Sequence, residues 1–135
     1  MIKMNDFSEL TSILATDVIY HSPVEWHPYP GHDLACLLVQ TAAGVFEDFR
    51  YERQMAGGDS AMLEFSAHVG DIELKGAHLV RFNAAGEIMD IDLIARPAKG
   101  VIAFGNGVGD KIGPQIKAAL TAEDARDKRS LDRTS

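Results

Sequence analysis

Cysteine is nearly absent from this 135-residue chain, which carries one, Cys36, so no disulfide can form within it and a reducing, cytoplasmic compartment is the simplest expectation. Long hydrophobic runs are missing too. The longest apolar stretch, Leu34 to Phe46, is broken by Gln40 and Thr41 and falls short of the ~20 residues a bilayer span needs. The opening residues MIKMNDFSEL lack the apolar run of a secretory signal. Basic charge is also short, with 13 Lys and Arg against 20 Asp and Glu. That balance argues against nucleic acid as a partner, because phosphate binding depends on cationic side chains.

What is present suits one ordinary globular domain. Hydrophobic residues make up 46% and charged residues 24%, and a chain of this length buries roughly two thirds of its unfolded surface without metal or disulfide staples. The domain is expected over residues 1–120, followed by a polar tail at 121–135 whose one large apolar residue is Leu131.

Phe7, Leu10, Ile13 and Leu14 share one helical face, so a short helix is expected over 5–14. A short strand should follow over Asp17 to Pro23, and the proline-bounded segment Val24 to Pro30 reads as a loop. From Gly31, the recurrence of Leu34, Leu37, Leu38, Thr41, Ala42 and Val45 marks the main helix, with Asp33 in its first turn. Four alternating stretches, Phe49 to Met55, Ala61 to Val69, Ile72 to Phe82 and Ile88 to Ala95, are separated by turn residues and read as an antiparallel meander. The glycine run Gly105 to Gly113 follows the last strand, outside the strand-to-helix context of a phosphate loop, and reads as a bend between two short helices. This order predicts an α+β fold in which a curved antiparallel sheet wraps the long helix and encloses a cone.

Several segments carry a resemblance: Asp17-Val-Ile-Tyr-His-Ser-Pro23, Gly31 opening the helix, Phe46-Glu-Asp-Phe-Arg50, Gly76-Ala-His-Leu-Val-Arg-Phe-Asn-Ala-Ala-Gly-Glu-Ile88 and Arg96-Pro97. Through these the sequence resembles the nuclear transport factor 2 superfamily, which includes SnoaL-like polyketide cyclases, ketosteroid isomerases and limonene epoxide hydrolases. The resemblance implies a cystatin-like cone fold, no cofactor, a small hydrophobic molecule as partner, and a homodimer formed through the outer sheet face around Leu79, Arg81, Asp90 and Ile94. It sets His78 where the isomerases carry an oxyanion-hole aspartate and Ser22 where they carry the general base. Serine is not basic at pH 7, and the helix that bears the isomerases' oxyanion tyrosine is expected to have no counterpart.

Alternation assigns faces. With His78 inward, Leu74, Gly76, Val80 and Phe82 share its side, and Leu63, Phe65 and Ala67 line the cone from the neighbouring strand. A four-residue loop Asn83 to Gly86 pairs Val80 with Met89 and His78 with Ile91, turning Met89, Ile91 and Leu93 inward. A bulge at Gly86 would instead set Asp92 opposite His78. The candidate catalytic residues are therefore His78 and Asp92, an acid and base pair of the SnoaL-like kind. The expected ligand-binding residues are Tyr20, Ser22, Trp26, Tyr29, Leu38, Leu63, Phe65, Val80, Ile91 and Leu93. Arg53 with Asp90 and Asp92 could supply a hydrolase-like arrangement in the bulged register. Ser22 with His78 lacks a nucleophile turn. His21, His27 and His32 with Glu25 and Asp33 match no metal-ligand spacing, so no metal is expected. Three functions stay open: an acid-base enzyme acting on a carbonyl compound, a non-catalytic binder, and a structural dimer with a self-filled cone.

Overall fold

The computed structural model describes residues 7–115, with side chains from residue 9 onward; the expected tail at 121–135 lies outside them. Phe7–Ile13 forms a 3-10 helix, tighter than the α-helix expected there. Its threefold repeat eclipses residues at i and i+3, which suits Leu10 and Ile13, both packed on the core. Strand β1, Leu14–His21, begins three residues earlier than the sequence suggests. Leu14 and Ala15 are both buried, and the register shifts between Leu14 and Ile19, so the strand is irregular there and its alternation was hidden.

The proline-bounded loop contains a two-residue strand, β2, Tyr29–Pro30, which pairs Tyr20 with Tyr29. Helix α1, His32–Val45, follows Gly31, whose φ of 102° is one that L side chains rarely adopt. It buries Ala35, Leu38, Val39, Ala42 and Val45 against the sheet. The meander then runs β3 (Glu47–Gly57), β4 (Ser60–Val69), β5 (Ile72–Phe82) and β6 (Ile88–Arg96). The six strands lie in the order β2-β1-β6-β5-β4-β3, with β1 parallel to β6 and the other neighbours antiparallel. The expected α+β architecture is the one observed.

The β5–β6 hairpin differs from both registers read in the sequence. Val80 pairs with Ile91, His78 with Leu93 and Leu79 with Asp92. Two offsets combine. The turn runs one residue longer, because the Asn83 side-chain oxygen accepts hydrogen bonds from the N–H groups of Ala85 (3.0 Å) and Glu87 (2.9 Å) and Phe82 then pairs with Ile88. The strand also shifts between Arg81 and Phe82, leaving Met89 as the extra residue. Together they move the register by two, which preserves parity. Ile91 and Leu93 are buried, Asp90 and Asp92 stay on the outer face, and Met89 turns outward while Ile88 takes the core position.

Residues 98–115 form one helix, α2, rather than two short ones about a bend. Each glycine costs a helix interior roughly 1 kcal/mol relative to alanine. The compensation is close docking: a Cβ on Gly105 would lie 2.8 Å from Val24 Cγ1, and one on Gly107 2.9 Å from Val45 Cγ1. Among the described residues no helix is long and apolar enough to cross a membrane.

Candidate functional site

The cone is filled where the sequence predicted a pocket. Phe65, fully buried on β4, meets Phe49 at 4.9 Å, Phe46 at 5.3 Å and His78 at 5.4 Å between ring centroids, and Phe46 stacks on Phe104 of α2 at 4.7 Å. Gly76 pairs with Phe65 and leaves the space its ring occupies; a Cβ there would fall 2.7 Å from Phe65 Cζ and 2.4 Å from the Ile94 carbonyl oxygen. His78 faces inward as alternation requires, yet its side chain is fully buried and burial lowers its pKa to about 3. It is a neutral imidazole at physiological pH and lines neither of the two cavities on the concave side. Asp92 sits opposite Leu79 on the other face of the sheet, so His78 and Asp92 do not share a site.

Open space lies at two ends of the sheet. One cavity, of about 340 Å³, is bounded by β1, the loop after it, α1 and α2. Of the expected ligand-binding residues it gathers Tyr20, Ser22, Tyr29 and Leu38, and Glu25, His27 and Phe104 join them. The other, of about 280 Å³, takes in Leu63 and Val80 beside Leu10, Met55 and Ile88, and is almost wholly apolar. Phe65, Ile91 and Leu93 belong to the packed core between them. Trp26, expected among the ligand-binding residues, is 98% exposed, because β2 holds the loop at Tyr29 and leaves its tip in solvent.

The first cavity has polar chemistry. β1 and β2 set Tyr20 and Tyr29 side by side. Tyr29 donates its hydroxyl to Glu25 Oε2, and His27 Nε2 lies 3.2 Å from the same oxygen. Ser22 Oγ accepts a hydrogen bond from the Val24 N–H at 3.3 Å. The Tyr20 side chain is 2% exposed. Burial, then the nearby Tyr29 and Asp92, hold its pKa well above the ordinary phenol value, and no hydrogen bond contributes. Tyr29 is raised as well, by burial and then by its bond and proximity to Glu25. Both phenols therefore stay protonated and able to donate across the physiological range.

The other constellations disperse. His21 binds Asp90 at 3.1 Å on the outer face, His27 turns to Glu25, and His32 lies beside Cys36. Among the described residues no three His, Cys, Asp or Glu side chains meet as a metal site. Arg53 is taken by Glu64, with Nε donating to Oε1 at 2.9 Å, and so forms no hydrolase-like trio with Asp90 and Asp92. Sequence reasoning missed Glu25 as a cavity residue, although its i to i+4 spacing from Tyr29 within a proline-bounded loop was the available signal.

The comparisons bear on this geometry. A steroid delta-isomerase from Pseudomonas aeruginosa is 38% identical to this chain over 83% of each, with a TM-score of 0.76. An uncharacterized bacterial protein with a cystatin-like fold from Silicibacter pomeroyi is 29% identical, covering 87% of this chain and 84% of its own, with a TM-score of 0.79. A nuclear transport factor 2-like protein of unknown function from Mesorhizobium loti shares the fold, at 18% identity and a TM-score of 0.57 over 65% of this chain and 75% of its own. No family model matches the sequence, and no curated protein does.

Proposed function

This chain belongs to the nuclear transport factor 2-like, SnoaL-like superfamily, and from that premise we propose that its cavity beneath α2 binds a small, largely apolar molecule through one oxygen atom hydrogen-bonded by Tyr20. The observation that carries the reading is the Tyr20 hydroxyl. Its side chain is almost wholly buried, it lines the cavity, and no described residue hydrogen-bonds it. The hydroxyl is not sealed from the cavity, so a ligand carbonyl can replace water as its acceptor. Leu38, Phe104 and Val108 supply apolar wall around it, the usual composition of a small-molecule site. Titrating the protein with 2-acetylnaphthalene, followed by NMR, tests this. Tyr20→Phe should weaken binding about tenfold, the loss of roughly 1.4 kcal/mol expected for one hydrogen bond. Equal affinity in the two proteins would count against it.

One observation favours a second reading, isomerase-like proton transfer beside the bound carbonyl. Glu25 places a carboxylate in the same cavity, held by the Tyr29 hydroxyl. In this reading the carboxylate takes a proton from the carbon next to the carbonyl while Tyr20 donates to the oxygen as it gains enolate charge. His78 serves as packing beneath Phe65. The check is exchange of those protons in deuterated water: the wild type exchanges them on the bound ketone faster than buffer does, and Glu25→Gln abolishes the excess while leaving affinity within about threefold. Undiminished exchange in Glu25→Gln would rule the carboxylate out.

A further inference from the structure

The glycine run of α2 also shapes the cavity wall. Gly105, Gly109 and Gly113 recur at intervals of four along α2 and so share one face, and all three border the cavity into which Tyr20 looks. Gly105 is pressed against Val24, which fixes how closely the helix approaches. A Cβ built on Gly109 or Gly113 would meet no described atom within 4 Å. At those two positions the helix presents bare backbone at the cavity edge, Gly113 half-buried and Gly109 exposed, and a larger side chain there would narrow the opening.

We infer that Gly109 and Gly113 are specificity-determining positions, and that they make room for a compact ligand of one or two flat rings bearing a carbonyl. The inference rests on the reading of Tyr20 given above and deepens it. Size is the argument. A cavity of about 340 Å³ lies at the lower end of the range for small-molecule sites, roughly 300–1,000 Å³, which favours a ligand of one or two rings over a four-ring nucleus. Shape agrees, because Leu38, Phe104 and Tyr20 offer apolar faces while the glycine face adds a wall without projections.

The experiment compares three probes, acetophenone, 2-acetylnaphthalene and the steroid enone androstenedione, on the wild type, Gly109→Leu, Gly113→Leu, Tyr20→Phe and the exposed-surface control Asp110→Leu. Thermal melts confirm that each variant is folded, and Gly109→Ala is a gentler version should a leucine disturb the helix. The expected result is tightest binding of 2-acetylnaphthalene by the wild type. Leucine at 109 or 113 should weaken that probe about tenfold or more while acetophenone changes less, since one added methylene already shifts affinity about tenfold in a closed apolar site. Asp110→Leu should leave all three unchanged. If the ketones bind and Tyr20→Phe weakens them, but leucine at 109 and 113 acts no more than at 110 or androstenedione binds tightest, the inference on size is overturned and the binding reading stands. If no ketone binds the wild type, both fall together.

Discussion

Burial of His78 makes a prediction that needs no ligand. Its pKa is depressed to about 3 in the folded chain, against about 6.5 in an unfolded one. Between those values the unfolded state binds a proton that the native state refuses, so stability rises with pH through that window and is lost as pH falls from about 6.5 toward 3. At pH 5 the unfolded imidazole is almost fully protonated while the native one remains neutral, which lowers stability by about 2 kcal/mol relative to pH 8; at pH 4 the loss is about 3 kcal/mol. The pH 5 figure depends on the unfolded value alone so long as the native pKa lies well below 5. Other groups titrate in the same range. His68 acts with the opposite sign, because its hydrogen bond to Asp48 raises its pKa, so its contribution is present at low pH and lost as pH rises through the folded value. Urea unfolding of the wild type and of His78→Leu, each at pH 8, 5 and 4, removes such terms by difference. The wild type should lose stability faster than the variant by the amounts above. Parallel profiles would refute the reasoning and return His78 to a solvated, titrating site.

Three further outcomes follow from packing. Gly76→Ala should destabilise by about 3 kcal/mol, the upper range for overpacking, because the added methyl meets a backbone carbonyl and the fully buried Phe65 ring, neither of which can move aside; a denaturant midpoint near wild type would contradict this. In Gly105→Ala, a clash with the branched Val24 side chain opposes a gain of roughly 1 kcal/mol in helix propensity. The clash should win by about 1 kcal/mol, and calorimetry should show a lower midpoint. Asp92→Ala should leave the ring-nitrogen NMR signals of His78 unchanged, since the two side chains occupy opposite faces of the sheet; a shifted resonance would contradict the register.

Much of the fold was legible because its signals are local. Alternation in β4 and β5 and the three- and four-residue spacing of α1 report directly on which side chains are buried. Strand β2 escaped because Tyr29–Pro30 gains its identity from pairing with β1, a partner distant in sequence. Helix α2 escaped because glycine propensity argues against a helix until the docking of Gly105 on Val24 is known. The inward face of His78 was read correctly, but its surroundings were not. Whether an inward polar group meets a cavity or a core depends on what the other elements bring, and here Phe49 from β3 and Phe104 from α2 complete the plug around Phe65. The same nonlocal packing moved the open space to Tyr20 and Tyr29, two of the residues the sequence assigned to ligand binding.

The central claim is that ligand enters beneath α2 and not the apolar cavity at the other end of the sheet. Intermolecular NOEs between 2-acetylnaphthalene and methyl-labelled protein test it most directly. Contacts to Leu38 and Val108, with a shifted Tyr20 ring, are the predicted result. Contacts to Leu63, Val80 and Ile88 in their place would contradict it.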